Sequence, residues 1–313
     1  MSESSKVLVT GGAGFIGGHL ISKLLEKGYR VIVLDNFYSG KLENLRPHLK
    51  NDNFEVVKGD VRDRKIVEHI VEGVDKVVHL AALIDVEQSV SDPFETHDVN
   101  VNGTLNILGE IGKKGVERFV FASSTAVYGE ARQLPLEENC SLNPASPYAA
   151  SKVCAENYCE AFRRSYGLDF VVLRYFNVYG PGQQHNPYSG VIVKFLRNAL
   201  GNKPLTVFGE GEQTRDFVYV DDVVEATMLA LERRNALGEI FNVCTGVPIS
   251  INKLVLMVRE ATARSPKVIY GAPRKGDIKE SYGEPVKAKE ILGFEAKVSL
   301  RDGLGRIVKN MII

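Results

Sequence analysis

A doubly wound α/β fold is what this 313-residue sequence predicts, and three observations carry the prediction. Short, nearly continuous apolar runs rich in Val, Leu and Phe recur through the first half of the chain. Segments with helical spacing separate them, and a glycine-rich turn follows the first run directly. Apolar runs unbroken by polar positions mark strands buried on both faces, the pattern of a parallel sheet covered by helices.

Taken in order, Lys6 to Thr10 is the first strand and Gly11-Gly12-Ala13-Gly14-Phe15-Ile16-Gly17 turns it into a helix. Arg30 to Asp35, Phe54 to Lys58, Lys76 to Leu80, Arg118 to Ala122 and Asp169 to Arg174 follow as strands. At least six parallel strands are therefore expected, with a seventh from Glu239 to Val243 after a detour. Asp92 to Lys113 and Pro147 to Tyr166 read as long helices with apolar faces, Val99, Leu105, Leu108 and Ile111 on one and Tyr158 and Phe162 on the other. The rhythm breaks over residues 177–208, where Gly180-Pro181-Gly182, Pro187, Gly190 and Pro204 punctuate the chain, before Gly209-Glu210-Gly211 makes a turn. Ligands of doubly wound sheets sit outside the carboxyl ends of the strands, so material inserted there is placed to hold a substrate. Residues 1–176 are expected to carry a cofactor, with a return to the sheet at about 215–246; residues 177–214 and 247–313 form a smaller, discontinuous substrate domain.

The 39 basic and 39 acidic residues balance and are spread along the chain, with no basic block for nucleic acid or an anionic membrane. Cys140, Cys154, Cys159 and Cys244 lack C-x-x-C or zinc spacing and read as reduced thiols, with no metal site. No stretch approaches the ~20 apolar residues of a membrane helix, and Met1 to Ser5 lacks the pattern of a secretory signal. A cytoplasmic protein is expected.

A strand, a G-x-x-G-x-x-G turn and a helix start form a dinucleotide site: Gly11, Gly14 and Gly17, with Phe15 and Ile16 between them, let the backbone approach a pyrophosphate that the helix amides then bind. Asp35 ends the second strand 18 residues after Gly17, where a carboxylate accepts from both adenosine ribose hydroxyls and repels a 2'-phosphate. With no Arg at positions 36–40, NAD is favoured over NADP. Asp60 and Val61 end the third strand; the carboxylate either meets the adenine amino group or closes an Asx turn. Leu80-Ala81-Ala82 allow close approach of a cofactor, or simple packing of helix on sheet.

Tyr148-Ala-Ala-Ser-Lys152, beginning 24 residues after Ser124, supplies the chemistry. Residues four apart on a helix share a face. The Lys152 ammonium, together with the positive nicotinamide ring, favours the Tyr148 phenolate, a base for removing a proton from a secondary alcohol. Ser124 either hydrogen-bonds the reacting oxygen or caps a turn.

On these residues, and on Asp35-Asn36, Gly59-Asp60, His79 to Ala82, Asn100 to Thr104, Ser123 to Gly129, Arg174 to Asn177, Gly211 to Asp216 and Arg274 to Asp277, the chain resembles the extended short-chain dehydrogenases/reductases. Within that superfamily it is similar to the UDP-glucose 4-epimerases over essentially its whole length. The resemblance implies a parallel Rossmann sheet with a smaller C-terminal α/β domain, and a tightly bound NAD regenerated within each turnover. It implies cofactor contacts from Asn36, Ser39, Gly40, Asn100, Ser123 and Tyr175 in addition to the residues above. For a UDP-sugar it implies Asn177, Arg215 and Arg274 at the diphosphate, Asp277 at the uridine ribose, and Val191 and Thr206 beside uracil; each Arg alternatively makes a surface ion pair. Arg forks suit phosphate oxygens. It also implies a homodimer, the helices about 93–113 and 147–166 pairing with their copies in a four-helix bundle; the alternative is that these faces only cover the sheet.

Dehydrating relatives carry an Asp-Glu pair just after the catalytic hydroxyl, and decarboxylating ones keep the Glu; this chain has Thr125-Ala126 there. Inversion at C4 through a 4-keto sugar then remains. Two departures from the resemblance stand out. Ile84-Asp85 replaces a Lys found near the nicotinamide in many bacterial relatives, and Ser281 stands where glucose-restricted relatives place a Tyr. A small residue at that point implies room for a 2-acetamido sugar. The rival readings are an epimerase of UDP-glucuronate or another nucleotide sugar, and a catalytically silent NAD-binding sensor or scaffold.

Overall fold

The computed structural model describes residues 5–130, 132–183, 190–274 and 276–312, the Ile312 side chain excepted. Met1 to Ser4, Pro187 among the predicted turn residues, and Lys275 within the Arg274 to Asp277 motif lie outside the described residues. Seven parallel strands form the central sheet: β1 (Lys6–Thr10), β2 (Arg30–Asp35), β3 (Phe54–Lys58), β4 (Lys76–His79), β5 (Arg118–Ser124), β6 (Phe170–Tyr175) and, after the detour, the strand Glu239–Val243. Their spatial order is Glu239–Val243, β6, β5, β4, β1, β2, β3. The order reverses beside β1, which creates the crevice where ligands bind in such sheets. Register brings the carboxyl ends to one edge: Thr10 pairs with Leu34 and His79, and Ser124 with Tyr175.

Alternation along the strands explains why their apolar runs are continuous. Val7, Val9, Val31, Val33, Val120 and Val171 enter the core on one face, while Leu8, Ile32, Leu34, Phe119, Phe121 and Val172 enter the core on the other. Both faces are sealed by helices, and each large side chain buried this way contributes roughly 1.5–3 kcal/mol. A third core joins helices Val191–Leu200, Ile251–Thr262 and Leu300–Ile312 around Phe195, Leu254, Ile307 and Tyr219. Short strand pairs brace it: Leu205–Phe208 with Val268–Gly271, and Thr214–Arg215 between Ile249–Ser250 and Glu280–Ser281.

Pro147–Tyr166 is one helix, as expected; Asp92 to Lys113 is not. There Pro93–His97 passes through a π-helical turn, Asp98–Asn102, into Gly103–Lys114. The Thr104 hydroxyl donates to the Asn100 carbonyl at 2.6 Å, and the extra residue in the turn rotates Asn100 into the core, a device that recurs at functional sites. The apolar face read on this segment also turns inward. Val99, Leu108 and Ile111 are buried in the chain's own sheet core, and the face left to solvent carries Phe94, 85% exposed, next to Val90 of the preceding helix Val86–Ser91.

Candidate active site

A cavity of about 550 Å³ opens at the carboxyl edge of the sheet where the strand order reverses. Gly11 is the tightest point of its floor. Its φ of +69° lies in the left-handed region, and a Cβ there would fall 2.7 Å from the Ala81 nitrogen; only glycine lets the two backbones meet. The helix that follows, Phe15–Glu26, starts on Gly14 with no side-chain cap, so its first-turn amides face the cavity as an anion site. Gly17, Leu80, Ala82, Ser39, Gly40 and Val61 line the same space. Asp35 stands beside them, one oxygen accepting from Ala13 N at 2.9 Å and the other from Phe37 N at 2.8 Å. Each oxygen keeps a second acceptor position for a hydroxyl, and burial raises its proton affinity against the pull of those two amides. A backbone cradle that a methyl group would fill, an uncapped helix start and a carboxylate at the next strand end fit the pyrophosphate and ribose of a dinucleotide.

Two of the expected cofactor contacts are arranged differently. Asp60 closes the Asx turn: its carboxylate accepts from Arg62 N at 2.9 Å and Asn36 Nδ2 at 2.8 Å, and Arg62 grips it with Nε at 2.9 Å and Nη2 at 2.8 Å. These donors, Arg62 first, hold its pKa down to about 2. The residue lines the cavity, but its acceptor sites are largely taken. Asn100 does not line the cavity at all. Turned inward, its amide exchanges bonds with Leu83 N (2.8 Å) and Leu83 O (2.9 Å) and donates to Ser151 Oγ (2.9 Å), which donates to the Tyr148 carbonyl at 2.7 Å. It braces the helix that carries Tyr148 from behind.

Ser124, Tyr148 and Lys152 converge on the cavity, with Ser123 and Tyr175 beside them. Ser146 caps the helix Pro147–Tyr166 by accepting from Ala149 N at 3.1 Å, and Pro147 occupies the first turn, which sets Tyr148 at the helix mouth. Lys152, one turn on, is buried; it donates to the Ala122 carbonyl at 2.8 Å and lies 4.9 Å from the centre of the Phe121 ring. Burial draws its pKa down to about 8. Burial also raises the Tyr148 phenol, opposed by its hydrogen bond with Ser124. Desolvation of the phenol therefore outweighs the expected pull of Lys152, whose ammonium is turned onto a carbonyl. Ser124 accepts from Ala126 N at 3.2 Å, so it caps the following turn as well as facing the cavity.

A second cavity of about 760 Å³ adjoins the first along Asn177, Val178, Gln183 and Arg215, and Val191, Thr206, Arg274 and Asp277 line it. Arg215 Nη2 pairs with Asp277 at 2.5 Å while Nη1 donates to the Thr214 and Ile278 carbonyls; Arg274 lies 4.2 Å from the centre of the Phe208 ring. Ser281 sits in the wall of the first cavity, 3.5 Å from the Thr125 hydroxyl.

Sequence reasoning missed the supports beneath this floor. His79 is buried between Thr10 Oγ1 (2.6 Å to Nδ1) and Thr104 Oγ1 (3.0 Å to Nε2), and burial keeps it neutral with a pKa of about 3. Glu156, four residues beyond Lys152, and Arg174, a charge at the end of an apolar strand, form a buried ion pair at 2.7 Å. The signal available for the pair was Arg174, a charge inside the otherwise apolar strand β6; Glu156 stands in a helix that carries several charges, and nothing in its spacing marks it. No group of three or more His, Cys, Asp or Glu side chains among the described residues could hold a metal ion, and no helix among them is long and apolar enough to cross a membrane.

Residues 7–244 match the family model for the NAD dependent epimerase/dehydratase family. The chain is 42% identical over 307 residues to a putative UDP-glucose 4-epimerase of Methanocaldococcus jannaschii, covering 97% of this chain and 98% of that one. Among solved structures, the UDP-glucose 4-epimerase of Thermotoga maritima, determined with UDP-glucose, superposes with a TM-score of 0.94 at 42% identity over 98% of each chain. The UDP-N-acetylglucosamine 4-epimerase of Methanobrevibacter ruminantium M1, in complex with UDP-N-acetylmuramic acid, gives a TM-score of 0.94 at 36% identity, covering 99% of this chain and 98% of the other.

Proposed function

The chain belongs to the NAD-dependent epimerase/dehydratase family, and on that premise we propose that it inverts C4 of a UDP-hexose through a transient 4-keto sugar. UDP-glucose and UDP-galactose are the first substrates we assign, with UDP-GlcNAc and UDP-GalNAc admitted by the small Ser281. The observation that carries the reading is the meeting of Ser124, Tyr148 and Lys152 at one cavity beside the uncapped helix start, with Thr125 and Ala126 where dehydration would need an acid pair.

Gly11, Gly14, Phe15, Ile16 and Asp35 would hold NAD, which when bound supplies a hydride acceptor and donor at C4 with no net redox. Tyr148 takes the 4-hydroxyl proton as the ketone forms and returns it as the ketone is reduced. Ser124, bonded to the phenol, orients the reacting oxygen and passes the proton. Lys152 favours the phenolate so long as it stays charged. Arg215, Arg274, Asn177 and Asp277 grip the nucleotide in the second cavity while the sugar, held by few contacts, turns its other face. In this reading residues 1–176 with 215–246 form the cofactor unit, and 177–214 with 247–313 the sugar unit. A homodimer through the helices about 93–113 and 147–166 is part of the proposal, supported by Phe94 and Tyr166 on them and Val90 just before the first, apolar side chains left largely exposed. Light scattering at the monomer mass would exclude it.

The test is a panel of UDP-glucose, UDP-GlcNAc and UDP-glucuronate incubated with the purified protein without added NAD and resolved by chromatography. Interconversion of UDP-glucose and UDP-galactose is expected; turnover of UDP-glucuronate alone would overturn the assignment.

A further inference from the structure

Lys152 faces a difficulty that the catalytic trio does not solve. Fully desolvated, with a single carbonyl and a ring face for company, its ammonium is disfavoured. Yet the reading above needs it charged. The groups that face it are few. Cys159, on the same helix, is buried and its thiol is pushed up, hence neutral. His79, from β4, is neutral, and Tyr148 is a buried phenol. Among the described residues this leaves Glu156, on its own helix, as the charge acting on it, with Arg174 from β6 bonded to that carboxylate.

Glu156 is one helical turn beyond Lys152 and 5% exposed. One of its oxygens accepts from Ser123 Oγ through a short hydrogen bond and from Arg174 Nε at 3.1 Å; the other accepts from Arg174 Nη2 at 2.7 Å. Arg174 in turn donates to Tyr128 Oη at 2.9 Å and to the Glu138 carbonyl at 3.0 Å, and Tyr128 donates to Asn242 at 2.6 Å. The carboxylate is therefore pinned by a satisfied network that joins β5, β6, the strand Glu239–Val243 and the helix of Tyr148. Ser123, which it holds, is the residue before Ser124.

We propose that Glu156 is a positioning residue of this site: its buried carboxylate, fixed by Arg174 and Ser123, keeps Lys152 an ammonium ion and sets the end of β5 so that Ser124 meets Tyr148. The proposal rests on the reading of Tyr148 and Lys152 as the acid-base pair. Its electrostatic half follows from spacing. Residues four apart on a helix are neighbours on one face, with Cβ atoms about 5–6 Å apart, and the Glu156 carboxylate favours the charged form of Lys152, against the burial that opposes it. Arg174, from β6, pairs with the same carboxylate, and the pull of Glu156 on Lys152 still acts toward the charged form.

The test titrates Lys152 directly, by NMR of protein labelled with carbon-13 at lysine Cε, the resonance identified by its loss in Lys152→Met. Glu156→Gln removes the negative charge and leaves Arg174 uncompensated, so Lys152 is expected to lose its proton about one pH unit or more lower, a roughly tenfold or greater fall in proton affinity. Arg174→Lys keeps the charges but breaks the two-pronged pairing and the Tyr128 contact, and is expected to leave the titration near that of the native protein. If Glu156→Gln does not fold, Glu156→Gln/Arg174→Gln replaces the ion pair by an amide pair and is expected to shift Lys152 in the same direction, by less. A Lys152 titration unmoved by loss of the carboxylate, or moved equally by Arg174→Lys, overturns the proposal. In UDP-sugar turnover the alkaline limb of the pH profile of kcat/KM should move with the titration. Native protein inactive on every UDP-sugar would sink the functional reading instead, and leaves the NMR titration to judge Glu156 by itself.

Discussion

Replacing Lys152 by Met should make the protein more stable while abolishing its activity, and the size of the effect follows from the site. Lys152 is buried and its pKa is drawn from 10.5 to about 8, a depression worth about 3 kcal/mol at about 1.4 kcal/mol per unit. The folded state holds the proton less tightly than the unfolded chain. Below pH 8 both states are protonated and folding carries the full penalty; between pH 8 and 10.5 the unfolded chain binds more protons, so stability contributed by this group rises with pH. Met matches the length of the side chain and has no charge to desolvate. It leaves the Ala122 carbonyl without its donor, which costs about 1 kcal/mol, and forfeits the contact with Phe121. The variant should therefore be about 1–2 kcal/mol more stable near neutral pH, and its advantage should shrink by about 2 kcal/mol between about pH 7 and about pH 9.5. Urea unfolding followed by circular dichroism suits a chain without Trp. Comparison with the native protein at each pH cancels the other titrating groups. A difference that stays constant across the range would refute the claim that the site holds a desolvated ammonium.

Two further perturbations probe the cavity. Gly11→Ala forces a left-handed residue to carry a Cβ 2.7 Å from the Ala81 nitrogen, and should lose at least about 2 kcal/mol of stability along with dinucleotide affinity; an unchanged melting temperature and unchanged NAD content would contradict the cradle. Ser281→Tyr places a ring in the wall beside Thr125, and should suppress turnover of UDP-GlcNAc by at least about tenfold relative to UDP-glucose, since more than ~1.4 kcal/mol of discrimination is expected from a filled pocket. Equal effects on both sugars would remove Ser281 as the specificity residue.

The sheet was legible because its strands are buried on both faces. Runs such as Arg30–Asp35, Phe54–Lys58 and Glu239–Val243 show the same bounds in sequence and structure, and the glycine turn announces its own neighbour. What sequence conveyed poorly was which partner satisfies a given group. An apolar face on a helix says that something covers it, without saying what: Val99, Leu108 and Ile111 could face a second copy or the chain's own sheet, and they lie in the sheet core. The π turn that buries Asn100, where the Thr104 hydroxyl bonds the Asn100 carbonyl, is invisible to periodicity. Arg215 read either as a diphosphate ligand or as half of an ion pair, and sequence did not say that its partner is Asp277, 62 residues on. The Glu156–Arg174 pair escaped notice for the same reason, and the proton affinities of Tyr148 and Lys152 depend on burial that spacing alone does not convey.

The central claim is that a carbon-bound hydrogen leaves C4 as hydride and returns to that carbon from the other side, with Tyr148 handling only the hydroxyl proton. UDP-glucose carrying deuterium at C4, incubated with the protein in ordinary water, tests it most directly. The account predicts UDP-galactose that retains the label at C4, and no product from Tyr148→Phe at native rates. Product in which the C4 deuterium has exchanged with solvent would contradict it.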